Sequence, residues 1–210
     1  MCVKKYIILL LTIALLSCND DRKLPVLGDR FAEEKLVNGR IVTDTVYAHL
    51  PPFAFLNQDS NMITNENLKG KIFVADFFFT TCPSICPVMK KEMVRVFEKF
   101  KGNKSVMLLS HTIDPDHDTL ALLKDYAMRL GSDGTQWMFL TGARERIYEM
   151  AEKGYYATAL PDSTEPGGFV HSGGFILLDK QQRIRGIYDG TKSTEVDQLM
   201  VDMDLLLKEE

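Results

Sequence analysis

The chain has 210 residues, a formal net charge of −4 and 45% hydrophobic residues. This length suits one domain of ordinary size with a substantial core. The acidic balance and the absence of a block of basic residues argue against nucleic acid as a partner. Composition alone therefore indicates a soluble globular domain and leaves its activity open.

The first residues have the pattern of a secretory signal. Lys4 and Lys5 precede an apolar run over residues 6–16, which is short for a membrane span and typical of a signal-peptide core. The run ends in Ser17 and Cys18, which resembles the bacterial lipoprotein box, where the signal is cut before a cysteine that carries lipid. A plain signal peptide and an uncleaved anchor are the alternatives. All three place the domain in the cell envelope of a bacterium, outside the cytoplasm, where disulfides can form.

We predict three parts of the chain. Residues 1–17 are a lipoprotein signal peptide, and residues 18–48 hold the lipidated cysteine, a polar tether and a small β element. Asn38 and Gly39 lie between apolar pairs and are a typical hairpin turn, which predicts that β element. Residues 49–210 form the folded domain. The protein is then attached to a membrane by lipid and faces the periplasm or the exterior.

Strand and helix patterns alternate through the folded domain. The predicted strands are 72–79, 105–110, 137–140, 175–178 and 184–188, and the predicted helices end near residues 100, 130, 153 and 207. This alternation indicates an α/β fold. Ligands of open α/β sheets lie at the carboxyl ends of the strands. The turn after the first of these strands and the loop after the second are therefore expected at one edge of the sheet.

Cys82 and Cys86 occupy the turn between the first strand and its helix. Thr80 and Thr81 are candidate caps for that helix, and Pro87 suits its first turn. A helix start carries partial positive charge and free N–H groups, which lower the pKa of a nearby thiol. Two thiolates this close can form a disulfide or bind a soft metal ion. An inert structural disulfide is the alternative, although closing so short a loop adds little stability.

Two histidines and an aspartate are further candidates. His111 and Asp114 follow the second strand in a predicted polar loop. His171 lies in the glycine-flanked segment 167–174, whose backbone can come close to another group. The residues alone favour His171 only slightly over His111 as a metal ligand. Asp114 is as typical of a turn or a helix cap as of a metal site.

Three motifs together resemble the Sco/SenC family. Cys-Pro-Ser-Ile-Cys-Pro at residues 82–87 follows an aromatic strand, and Asp-Pro-Asp-His-Asp-Thr spans residues 114–119. His171 then precedes an apolar strand, and the order and approximate spacing match over roughly residues 52–207. The resemblance implies a thioredoxin-like fold with a central β-sheet flanked by helices, here with an N-terminal β-hairpin extension.

The same resemblance implies a copper site. Its ligands are Cys82, Cys86 and His171, and Asp114 lies near the metal and supports the site without binding it. Two sulfurs and an imidazole suit copper as Cu⁺ or Cu²⁺, whereas a closed zinc site needs a fourth ligand. This chain departs from the family at Val170, where an acidic residue is common, and the Ser-Gly-Gly that follows His171 is flexible.

Two functions remain open. The first is a membrane-anchored copper metallochaperone that helps assemble the dinuclear copper site of cytochrome c oxidase. Its partners are the copper-bearing oxidase subunit and a thiol reductant. The second is a thiol–disulfide oxidoreductase with Cys82 and Cys86 as its catalytic residues, and a peroxidase of the thioredoxin superfamily is a weaker third reading. His171 separates the first two, because copper binding needs it and disulfide exchange needs only two thiols at a suitable potential.

Overall fold

The computed structural model describes residues 22–165 and 167–209. The predicted signal peptide and Cys18 lie outside these described residues. The strands are β1 (Arg30–Val37), β2 (Arg40–Tyr47), β3 (Ala54–Asn57), β4 (Met62–Thr64), β5 (Ile72–Phe78), β6 (Val106–Thr112), β7 (Trp137–Thr141), β8 (Ala159–Pro161), β9 (Phe169–His171), β10 (Gly174–Leu178) and β11 (Ile184–Asp189). The helices are α1 (Asn65–Leu68), α2 (Cys86–Phe100), α3 (Leu120–Arg129), α4 (Arg144–Glu149) and α5 (Ser193–Lys208), and the π-helical turn Met150–Gly154 continues α4.

A seven-stranded mixed sheet forms the centre of the molecule. Its strand order is β11-β10-β5-β6-β7-β3-β4. Strands β5, β6 and β7 are parallel, and the strands outside them pair antiparallel. Every residue of β5 and β6 is buried, which is why these strands read as nearly continuous apolar runs. The predicted α/β fold with a central sheet is confirmed.

Helix α2 packs an apolar face onto this core. Met89, Met93, Val96, Phe97 and Phe100 are all buried, as their helical spacing predicts. Full burial of such side chains contributes roughly 1.5–3 kcal/mol each relative to exposure. The helix that begins at the cysteine turn is therefore held firmly against the sheet.

The predicted N-terminal hairpin forms a separate two-stranded sheet. Strands β1 and β2 pair antiparallel over their whole length. Asn38 and Gly39 have φ angles of 51° and 77°, the left-handed values that a tight two-residue hairpin turn requires. All of β1 is exposed, so this hairpin adds nothing to the main core.

The chain before the hairpin lies against the edge strand β11. The N–H of Leu27 donates to the carbonyl of Ile184 at 2.8 Å. The buried Arg185 guanidinium donates to the carbonyls of Leu24 at 2.6 Å and Pro25 at 3.1 Å. Among the residues described, no helix combines the length and apolarity that crossing a bilayer requires.

Candidate metal centre

A buried carboxylate fixes the start of the cysteine turn. Asp118, which is fully buried, accepts hydrogen bonds from the Thr80 N–H at 3.1 Å and from the hydroxyls of Thr80 and Thr112. The prediction that Thr80 or Thr81 caps the helix is wrong. The Thr80 side chain is held by Asp118 instead, and α2 begins only at Cys86, after Ile85, with no side-chain cap.

Both cysteines are free thiols at the carboxyl edge of the sheet. The Cys82 N–H donates to the Phe79 carbonyl at 3.2 Å, which turns the chain directly after β5. Cys86 is the first residue of α2, and Pro87 lies in its first turn as predicted. Cys82 and Cys86 are 9% and 2% exposed, so both are buried and Cys86 is the more completely enclosed of the two.

His171 reaches the cysteines from a second, separate hairpin. It ends β9, which pairs with β8 so that His171 lies opposite Ala159. Gly167 makes this approach possible, since its φ is +89° and a Cβ there would lie 2.8 Å from the Phe79 ring and 3.1 Å from Pro83. The glycine-flanked segment comes close to the cysteine turn for this steric reason.

The three predicted ligand side chains converge on one point. His171 Nε2 lies 3.2 Å from Cys86 Sγ and 3.7 Å from Cys82 Sγ. All three potential ligand atoms lie within 4.8 Å of one another. Thiolate and imidazole donors bond a zinc ion at roughly 2.0–2.3 Å, so three donors around an ion of that size lie roughly 3.5–4.0 Å apart. The observed spacing therefore fits a single ion of this size with little movement.

The pKa values of the two thiols are shifted in opposite directions. Burial acts to raise the pKa of Cys82, but hydrogen bonds from the Cys86 thiol and from Ser84 outweigh it and hold that pKa below its ordinary value. Burial and the hydrogen bond to Cys82 raise the pKa of Cys86, and the nearby Lys90 charge opposes this rise. Burial lowers the pKa of His171, which keeps the imidazole neutral and able to offer a lone pair.

The rear of the His171 ring has no polar partner. Its Nδ1 atom is buried and makes no hydrogen bond within the described ranges. A metal-binding histidine usually donates this second N–H to a carboxylate or carbonyl, which fixes the ring. Here the ring is held by packing, with the Phe79 ring edge-on at a centroid distance of 5.9 Å. The apolar Val170 is consistent with that arrangement.

Asp114 is not part of the cluster of potential ligands, which contains Cys82, Cys86 and His171. It is half-buried in the loop after β6, and its N–H donates to the Thr112 hydroxyl at 3.1 Å. Burial, together with the Asp118 charge, raises the pKa of the Asp114 carboxyl. Its supporting role stays a prediction.

The prediction that His111 lies in a polar loop is wrong. The strand β6 continues to Thr112, because its pairing with β5 extends through His111 and Phe77. The His111 imidazole is 1% exposed, stacks on the Phe77 ring at 5.3 Å and lies 3.2 Å from the Tyr155 hydroxyl through Nε2. It is part of the core and does not join the cysteine cluster.

Two residues near the site were not singled out from the sequence. Ser84 Oγ lies 3.7 Å from Cys82 Sγ, and Asp118 anchors the turn. Asp118 stands inside the quoted Asp-rich motif, so the motif carried a signal for it. Ser84 offered none beyond its position between the cysteines.

The fold and this site define a thioredoxin-like protein whose two free thiols and one imidazole can hold a soft metal ion or exchange disulfides. Residues 43–203 match the family model described as SCO1/SenC. The chain belongs to that family, as the motifs predicted.

Individual relatives agree with this assignment. The SCO1 protein homolog of Bacillus subtilis (strain 168) is 32% identical over 167 residues, which cover 79% of this chain and 86% of that protein. The structure of a SCO1/SenC family lipoprotein from Bacillus anthracis str. Ames is 30% identical with a TM-score of 0.70, and the match covers 76% of this chain and 95% of that one. BsSco, a member of the Sco family of cytochrome c oxidase assembly proteins with a disulfide switch, is 30% identical with a TM-score of 0.68, over 77% and 95% of the two chains.

Proposed function

We propose that this protein binds one copper ion through Cys82 Sγ, Cys86 Sγ and His171 Nε2. The observation that supports this most is the convergence of these three atoms within 4.8 Å. Thiolates favour cuprous copper, and an imidazole ligand helps to retain cupric copper. A neutral histidine and one thiol with a lowered pKa are both prepared to bind a cation.

The bound copper is cargo for the dinuclear copper site of cytochrome c oxidase. Membership of the SCO1/SenC family supports this role, as does the likeness to BsSco, a member of a family of oxidase assembly proteins. Cys82, the less deeply buried of the two cysteines, is the ligand that an acceptor reaches first while Cys86 still holds the ion. The acceptor is the copper-bearing subunit of the oxidase.

The protein acts at a membrane of the bacterial cell envelope and faces the periplasm or the exterior. Lipid on Cys18 is the proposed anchor, and the likeness to a SCO1/SenC family lipoprotein supports it. Outside the cytoplasm the cysteine pair is exposed to oxidation. A thiol reductant in the same compartment is therefore a required partner.

Copper titration of the reduced protein tests this function. The chain starting at residue 19 lacks Cys2 and Cys18, so Cys82 and Cys86 supply its only thiols. We expect one copper per chain, loss of that site in Cys82→Ser/Cys86→Ser, and at least tenfold weaker binding in His171→Ala. His117→Ala, which removes an exposed imidazole, is the matched control and should bind like wild type. One-to-one binding at wild-type affinity by the double serine variant would contradict the site.

Thiol–disulfide exchange with a partner protein is the second candidate function. The asymmetry of the pair favours it, because a less buried thiol with a lowered pKa attacks and a buried one resolves the mixed disulfide. The disulfide switch of BsSco is consistent with it. His171→Ala should then keep exchange with a model disulfide while its copper binding is weakened, and Cys86→Ser should lose both. Equal loss of exchange in the two variants would exclude a role carried by the thiols alone.

A further inference from the structure

The hairpin of β8 and β9, which carries His171, has few polar links to the rest of the protein. Its two strands pair with each other in a sheet of their own. Among the described residues, the hydrogen bonds of residues 158–172 stay within that segment, apart from those between His171 and the two cysteines. Contacts other than hydrogen bonds must therefore fix where this hairpin lies against the cysteine turn.

The Phe79 ring provides such a contact. Gly167, Phe169 and His171 are alternate residues in β9 or just before it, and all three meet this ring. The Phe169 ring lies 5.1 Å from it between centroids, and the His171 ring lies 5.9 Å away and edge-on. A Cβ on Gly167 would lie only 2.8 Å from the same ring. Because alternate residues of a strand share one face, one face of the hairpin rests on Phe79.

Phe79 is itself part of the structure that holds the cysteines. It follows β5 directly, is 1% exposed, and accepts the Cys82 N–H on its carbonyl at 3.2 Å. Pro83, which follows Cys82, would lie 3.1 Å from a Cβ on Gly167. The backbone of Phe79 therefore holds the cysteine turn, and its ring holds the hairpin that bears the imidazole. A shift of either contact changes the distance from the imidazole to the sulfurs.

We propose that Phe79 and Phe169 are positioning residues, and that contact between their rings holds His171 Nε2 within reach of both sulfurs. The inference rests on the copper role proposed for Cys82, Cys86 and His171, and it names what brings the imidazole to the thiols. Neither phenylalanine offers an atom that binds a metal ion. Loss of the Phe169 ring should therefore weaken copper binding only as far as His171 contributes to that binding.

Copper affinity of the reduced, full-length protein, isolated from membranes in detergent, is measured by competition with a cuprous chelator. Groups that orient a metal ligand typically contribute about 10–100-fold to metal affinity, so Phe169→Ala should bind copper about tenfold more weakly than wild type. Phe169→Tyr keeps the ring and should bind like wild type. Phe169 is half-buried and lies outside the main sheet, so both variants should fold, whereas Phe79→Ala would leave a cavity in the core.

Two neighbouring glycines test the same contact from the hairpin side. Gly167 and Gly168 have φ angles of +89° and +83°, so alanine is strained at both. A Cβ on Gly167 would meet Phe79, whereas one on Gly168 would have no described atom within 4 Å. Gly167→Ala should therefore lose about tenfold in copper affinity, and Gly168→Ala should bind like wild type. Equal losses in the two variants would overturn the inference, because backbone strain would then explain both.

A metal-free measurement separates positioning from general damage. In the reduced protein without copper, NMR with labelled histidine should show a nuclear Overhauser contact between the His171 and Phe79 rings. Phe169→Ala and Gly167→Ala should remove this contact, and Phe169→Tyr should keep it. Persistence of the contact in Phe169→Ala would overturn the inference.

A double variant tests whether Phe169 acts through His171. Residues that act through one contact have non-additive effects, so adding Phe169→Ala to His171→Ala should cause no further loss of copper affinity. Additive losses would overturn the inference. If wild type and His171→Ala bind copper equally, the proposed ligand set fails instead, and the metal-free ring contact still decides whether Phe169 positions His171.

Discussion

The buried His111 predicts a specific loss of stability in acid. Burial, with a smaller contribution from the Lys90 charge, holds the pKa of His111 at about 3 in the folded protein. In the unfolded chain a histidine has a pKa of about 6.5. Between these two values the unfolded chain carries one more proton at this residue than the folded chain does. Stability is therefore fully present above about pH 6.5 and is lost as pH falls toward 3.

The magnitude follows from the width of that window. Each pH unit well inside it costs about 1.4 kcal/mol, so His111 alone removes about 3 kcal/mol between pH 7 and pH 4.5. Domains of this kind have only about 5–15 kcal/mol in total. His171 acts in the same direction, since burial also lowers its pKa. Only a comparison of variants isolates the contribution of His111.

Denaturant unfolding at pH 7, 5.5 and 4.5 measures the effect. His111→Phe keeps the ring stack on Phe77 but leaves the buried Tyr155 hydroxyl without its partner, which should cost about 1–3 kcal/mol at pH 7. From pH 7 to 4.5 this variant should then lose about 3 kcal/mol less than wild type. His49→Gln, which removes an exposed imidazole, is the control and should follow wild type. Parallel pH curves for His111→Phe and wild type would refute the assignment of this proton.

Two further predictions concern the cysteines. Joining Cys82 and Cys86 in a disulfide, verified by mass, should abolish copper binding in a titration, because it removes both thiolates, and a reductant should restore it. Undiminished binding by the disulfide form would move the metal away from this pair. Cys18→Ala should yield a protein without fatty acid by mass spectrometry, whereas lipid still attached to that variant would contradict the anchor.

The fold could be predicted where one local pattern determines one structure. The apolar run of β5 and the helical spacing on α2 needed no information from distant residues, since each buries its own apolar groups. Asn38 and Gly39 specified their hairpin because few other residues adopt left-handed backbone so readily. The cysteine pair was visible for the same local reason.

The remaining features depend on partners that are distant in sequence. Thr80 is a residue type that commonly caps helices, but it is hydrogen-bonded to the Asp118 carboxylate, which lies 38 residues away in the sequence. His111 followed a predicted strand end, yet pairing with β5 carried the strand past it. The residues alone favoured His171 over His111 only slightly, and the family resemblance decided between them. The hairpin that brings His171 to the cysteines depends on the close approach of Gly167 to Phe79, which no local pattern shows.

The N-terminal segment is attached at the end of the sheet opposite the two cysteines. Leu27 is hydrogen-bonded to the first residue of β11, and Asp189, the last residue of that strand, lies opposite Gly174, just beyond His171 in the chain. Five steps along the strand at about 3.3 Å each separate these ends by roughly 17 Å. An attachment at the N-terminus therefore holds the protein by the end of the sheet that is distant from the cysteines. The thiols and the imidazole lie at the opposite end of the sheet from that point of attachment.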